Sequence, residues 1–219
     1  GTAGRTALVS NGLACTFVDL TVTDSIFSGA AYTSVLLGDT PKNGEQKLGE
    51  VVSTADVVTF ENCHILRCSV TSSANYATFF ATTGDNKILV KDCSALDSFI
   101  ESKQSGGRAA FIAQDRGACT NIDVVNFVAT GEAKATSGNG VAGIIALPYN
   151  TTKELIIKNN ANYGIVEGGA GTAYVAGITA DTNASDIYVV EGNVNYGTLI
   201  ELTTVDSLIP HCGILATLG

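Results

Sequence analysis

Asn or Asp recurs along this chain at a nearly constant interval: Asp24, Asn62, Asp92, Asn126 and Asn159, with Gly192 at the sixth place. The steps are 38, 30, 34, 33 and 33 residues. A period of this size predicts one structural unit stacked many times, a solenoid.

Neighbouring columns repeat with it. Four residues before each ladder position stand Leu20, Val58, Ile88, Ile122, Leu155 and Tyr188; two before it stand Val22, Phe60, Val90, Val124, Ile157 and Val190. Two such columns, two residues apart, mark a strand with one buried face. Five residues after the ladder come Gly29, Arg67, Asp97, Gly131, Gly164 and Gly197, a place where four of six copies carry Gly and an open backbone is expected. Further apolar segments, such as Phe79-Phe80-Ala81 before a ladder residue and Ser69-Val70 after one, complete the unit.

These columns predict an all-β fold, a parallel β-solenoid or β-helix of about six rungs of roughly 33 residues with three short strands each. Right-handed coiling follows from the preferred crossover of parallel strands. One unit alone cannot cover its inward face or pair its strand edges; stacking at ~4.8 Å does both and gives a rod on the order of 30 Å long. Asn and Asp tolerate left-handed backbone and bond local amides, so the ladder reads as structural.

The length fits a single β-solenoid domain over 1–219, with a polar surface-loop insertion at 38–47. The net charge is −9, from 12 Lys plus Arg against 21 Asp plus Glu, which leaves no basic footprint for nucleic acid. No Asp-rich loop has calcium-binding spacing, and no apolar run reaches the ~20 residues of a membrane-spanning helix. The chain begins at Gly1, contains no Met, and both opens and closes on a strand motif. It reads as a mature product or excised segment whose terminal rungs stack on further rungs.

Six cysteines are present: Cys15, Cys63, Cys68, Cys93, Cys119 and Cys212. None forms a CxxC pair, and with two histidines no zinc site is expected. Cys63 and Cys93 follow the ladder residue in adjacent copies, so they are either buried small hydrophobes or a candidate disulfide along the stack. His64 beside Cys63 suggests a nucleophile pair only on paper, because adjacent residues point apart. Asp92, Asp97, Asp115 and Asp123 are acidic candidates by position alone, and Asp123 is expected to face solvent. Asn150 and Asn183 begin sequons one period apart and are candidate N-glycosylation sites. The threonines do not fall in one column, which argues against an ice-binding array.

The runs Gly143-Ile144-Ile145-Ala146 and Leu155-Ile156-Ile157-Lys158-Asn159-Asn160-Ala161-Asn162-Tyr163-Gly164, together with Asn62-Cys63, Asp92-Cys93 and Asn195-Tyr196-Gly197, resemble the GLUG-type repeat. The second Gly of that motif is mostly Ala here, at Ala113, Ala146 and Ala180. The resemblance implies stacked β structure at the cell exterior, as in secreted or surface-attached proteins and adhesins, with no catalytic residues and no particular ligand.

The resulting expectation is a non-catalytic extracellular or cell-surface module, structural or adhesive, with no cofactor and no metal. It self-associates through its terminal rungs or contacts carbohydrate or a host surface, without nucleic acid or membrane insertion. The alternative is a β-helix that binds or cleaves polysaccharide.

Overall fold

The computed structural model describes residues 5–9, 14–38, 46–47, 50–51, 57–74, 76–83, 87–103, 107–111, 113–115, 121–136, 138–142, 145–146, 154–170, 172, 174–180, 187–202, 211–213 and 215–216. Among these residues the chain is all-β, with short strands and no helix. All the strands but two lie in four parallel sheets, and the arrangement is β-helix-like.

The first sheet has six strands: Thr16–Val18, Val57–Glu61, Lys87–Lys91, Asn121–Val125, Glu154–Lys158 and Ile187–Glu191. Its register places Thr16, Thr59, Leu89, Asp123, Ile156 and Val189 in one column, at steps of 43, 30, 34, 33 and 33 residues. The second sheet has two legs. One contains Thr21–Thr23, His64–Leu66, Ala161–Asn162 and Val194–Asn195; the other contains Ile26–Gly29, Ser69–Ser72, Ile165–Gly168 and Thr198–Glu201. Ser94–Ser102 and Val128–Ala135 run through both legs. The third sheet has seven strands, from Arg5–Thr6 to His211–Cys212. The fourth has five, from Ala81–Thr83 to Leu215–Ala216, and bridges from Ala81 to Leu37 and from Leu37 to Val9 prolong it.

Between Lys87 and Asp115 the chain visits the first sheet, both legs of the second, the third and the fourth. The three strands per unit expected from sequence are therefore five segments. Of the 38–47 insertion, Gln46–Lys47 pairs antiparallel with Glu50–Val51, and residues 39–45 lie outside the described residues.

Alternation builds the core. In Val57–Glu61 the side chains of Val58 and Phe60 are buried while Val57 is exposed, the period-2 pattern of a strand with one inward face. Phe60, Val90, Val124 and Ile157 stack in one inward column, all fully buried. Burying each such side chain contributes about 1.5–3 kcal/mol. Aromatic rings tie the sheets together. Phe17 stacks on Phe60 at 5.0 Å, and Phe80 meets Phe60 and Phe127 edge-on at 5.4 and 5.7 Å.

Candidate functional site

The chemistry of this molecule is concentrated at two turns, which flank the first leg of the second sheet. At the first turn stand Asp19, Asn62, Asp92, Asn126 and Asn159, all with φ between 50° and 56°, and then Gly192 at 64°. This left-handed backbone is the conformation that Gly, Asn and Asp adopt most readily. Each member's N–H reaches the carbonyl before the next turn: Asn62 to Lys91 at 3.1 Å, Asp92 to Val125 at 3.0 Å, and Asn126 to Lys158 at 3.0 Å. Side chains link as well. Asn62 Nδ2 donates to Asp19 Oδ1 and Asn126 Nδ2 to Asp92 Oδ1, both at 2.7 Å.

Asp24 is not in this column. It stands at the second turn with Arg67, Asp97, Gly131, Gly164 and Gly197, so the ladder's first member is Asp19. Gly29 likewise lies within Ile26–Gly29, opposite Ser72. The slip arises because Thr16-Phe17-Val18-Asp19 and Thr21-Val22-Thr23-Asp24 carry the same pattern five residues apart. Arg67 grips Asp24 through two bonds, Nε to Oδ1 at 2.6 Å and an outer nitrogen to Oδ2 at 2.7 Å. The pair is exposed, so solvent screening leaves it little weight in stability. Gly131, at φ 109°, lies where any Cβ would run into the backbone of Ser98.

Just inside the first turn runs a column of Leu20, Cys63, Cys93, Phe127, Asn160 and Asn193. Its polar members satisfy corner amides. Cys93 Sγ accepts from the Cys63 N–H at 3.3 Å, and Asn160 Oδ1 accepts from the Phe127 N–H at 2.8 Å. Asn193 Oδ1 accepts from the Asn160 N–H and from Asn160 Nδ2, at 3.0 and 2.8 Å. A second inner pair follows two residues later, where the buried Asn162 donates to Asn195 Oδ1 at 2.8 Å. These asparagines escape a reading that stops at the outer ladder, yet their 33-residue spacing is visible in the sequence.

Cys63 and Cys93 stack as anticipated from their positions, and both are buried free thiols in this structure. Contact with Cys63, then burial, holds the Cys93 thiol above its ordinary range. Cys15 and Cys68 are free as well, whereas Cys119 and the side chain of Cys212 lie outside what is described. His64 does not engage Cys63. Its ring nitrogens meet Ser94 Oγ and Asn62 Oδ1, each at 2.9 Å, while Cys63 Sγ donates to the carbonyls of Phe17 and Glu61.

The acidic candidates are not brought together. Asp92 is a first-turn residue and Asp97 a second-turn residue. Asp123 sits on the first sheet, half-buried rather than solvent-facing, with Oδ1 enclosed and without a hydrogen-bond partner. Burial, followed by the nearby Glu154 charge, raises its pKa. The Asp115 side chain and both sequon asparagines, Asn150 and Asn183, lie outside the described residues. Among the described residues no group of three or more His, Cys, Asp or Glu could hold a metal ion. None of them forms a helix long and apolar enough to cross a membrane.

Beside the second turn, where Gly131 has no side chain, lies an open groove of about 500 Å³. Asp97, Phe99, Glu132, Tyr163 and Ile165 contribute to its walls. Tyr196 stacks on Tyr163 at 5.3 Å, and both rings are exposed. Asp97 is held in the turn by Thr130, whose Oγ1 accepts from the Asp97 N–H at 2.7 Å.

Comparison with protein-family models, with curated proteins and with solved structures finds no match to this chain.

Proposed function

We propose that this chain is a non-catalytic structural or adhesive module of the cell exterior. In this reading it is a right-handed β-solenoid of about six coils, each of roughly 33 residues, whose stack further coils extend. One observation carries the reading. The column Phe60, Val90, Val124, Ile157 is fully buried, but its next member, Val190, is 38% exposed. At the other end Phe17 is only half-buried. An inward column that surfaces at its outermost strands is a surface shaped to receive another coil. The charged outer columns lend further support, because they pair along the stack: Glu61 with Lys91, Lys134 with Glu167, and Lys158 with Glu191.

The test is binding of an apolar fluorescent dye to the purified chain and to Val190→Glu. The wild type should bind dye, and the variant should lose most of it at an unchanged melting temperature. Equal binding by the two sinks the reading of an open end.

The groove favours a second reading, polysaccharide binding. Aromatic faces stack on sugar rings, and carboxylates such as Asp97 and Glu132 accept hydrogen bonds from sugar hydroxyls. A glycan-binding screen of wild type and Tyr163→Ala separates the readings. No glycan lost on the substitution leaves the structural reading alone.

A further inference from the structure

We propose that the groove beside the second turn takes an amine-bearing sugar chain, a polymer of de-N-acetylated hexosamine, whose ammonium is held by Asp97, Glu132 and the Tyr163 ring. The inference rests on the polysaccharide reading above and names the sugar chemistry.

The second-turn column loses its side chains on three successive strands. It runs Asp24, Arg67 and Asp97, then Gly131, Gly164 and Gly197. The glycines leave a track along the stack, about 10 Å long at the spacing of neighbouring strands. Asp97 closes one end of it. Tyr163 and Tyr196, each one residue before a glycine, wall one side. Glu132 and Ile165, each one residue after a glycine, wall the other. A track of this shape suits a linear chain of rings rather than a compact ligand. The apolar surface around it is unusually open: Val128, Tyr163, Ile165, Val194 and Tyr196 are all exposed on the outer side of the second sheet. Exposed apolar surface gathered at one place marks a binding face.

The charge in the groove has one sign. Asp97 and Glu132 line it, and no Lys or Arg does. The cations that feel these carboxylates are engaged elsewhere. Arg67, near Asp97, holds Asp24 through two bonds, and Lys134, near Glu132, pairs with Glu167 at 2.6 Å. Asp97 Oδ1 accepts from the Thr130 hydroxyl at 3.2 Å, and among the described residues neither groove carboxylate has an ion-pair partner. An ammonium entering the groove gains charge-assisted hydrogen bonds from both carboxylates and attraction to the tyrosine ring. A uronic or sulfated chain meets repulsion there, and the net charge of −9 adds to it. A neutral chain gains the ring and hydroxyl bonds but no charge.

Isothermal titration calorimetry tests this with glucosamine oligomers of one length, fully N-acetylated or fully free, at about pH 5.5, where the sugar amine is protonated. The wild type should bind the free-amine oligomer at least about tenfold more tightly than the acetylated one. Asp97→Asn/Glu132→Gln should remove that preference at an unchanged melting temperature, since Asn keeps the left-handed turn. Glu61→Gln/Glu191→Gln removes the same charge from the first sheet and should keep the preference. Equal binding of the two oligomers by the wild type overturns the proposal. So does a preference that survives Asp97→Asn/Glu132→Gln or is lost equally in Glu61→Gln/Glu191→Gln. An oligolysine bound as tightly as the free-amine sugar also overturns it, because the groove then reads charge alone. If both oligomers bind equally and Tyr163→Ala loses both, the amine assignment falls and the polysaccharide reading stands. A wild type that binds neither oligomer overturns the assignment too, and with a blank glycan screen the polysaccharide reading falls as well.

Discussion

Asn62 hands its side-chain amide to Asp19 Oδ1 across 2.7 Å, joining residues 43 positions apart that share left-handed backbone. The bond sits at a corner where every strand of the first sheet ends, so it locks the spacing of neighbouring strands and the direction of the turn at once. Arg67 and Asp24 repeat the relationship five residues later, with a charge pair in place of an amide.

The outer ladder acts mainly through its backbone, and Asn126 separates the two contributions. Asn126→Leu keeps φ near 56° at a cost of about 1–2 kcal/mol and loses the bond to Asp92, about 1 kcal/mol more. Asn126→Gly loses only the bond and takes the conformation freely. Thermal denaturation should place the Leu variant well below the Gly variant, with Gly close to wild type. Equal melting temperatures would show that the turn is not held left-handed in solution.

Much of this fold was legible in the sequence, because stacking forces identical demands on equivalent residues. The columns of Val58, Phe60, Ile88 and Val90 announced an inward face, and Asn62, Asp92, Asn126 and Asn159 announced a turn. The first member was misplaced because both Asp19 and Asp24 close an alternating strand, and a 38-residue step looked closer to the period than 43. The insertion at 38–47 holds ten residues; added to 33 it selects Asp19. The groove was not legible. It depends on Gly131 opening a gap between Asp97 and Tyr163, and a column of turn residues does not reveal which gap stays empty.

Gly131 should be the least replaceable glycine of the second turn. Its φ of 109° disfavours any side chain, and a Cβ would meet backbone atoms of Ser98, which cannot swing aside. Gly131→Ala should cost about 3 kcal/mol or more. A denaturant midpoint within error of wild type would mean that Gly131 does not lie against the Ser98 backbone, contrary to the register found here.

The stacked thiols make a chemical prediction. Cys15, Cys63, Cys68 and Cys93 are all free, so alkylation of the unfolded chain without reductant should add one group at each. Peptide mass spectrometry reads the result directly. A linked Cys63–Cys93 peptide would show that the corner adjusts to disulfide geometry, with the Cys63 amide losing Cys93 Sγ as its free-thiol acceptor.

Asp123 offers the converse of the ladder, a polar residue that the fold tolerates at a cost. It stands in register between Leu89 and Ile156, and its enclosed Oδ1 has no partner. Asp123→Leu continues the apolar column and should stabilise the protein by about 1 kcal/mol at neutral pH. The sign of the pH dependence follows from the raised pKa, caused first by burial and then by Glu154. A carboxyl whose folded pKa lies above its unfolded 3.8 penalises folding while ionised, so wild-type stability recovers as pH falls through the folded value. The recovery is complete below about 3.8, where Asp123 is neutral in both states. The melting-temperature gap between Asp123→Leu and wild type should therefore be largest near pH 7 and narrow towards pH 3.5. A gap that is constant across this range, or a wild type that is the more stable at pH 7, would place the Asp123 carboxylate in open solvent.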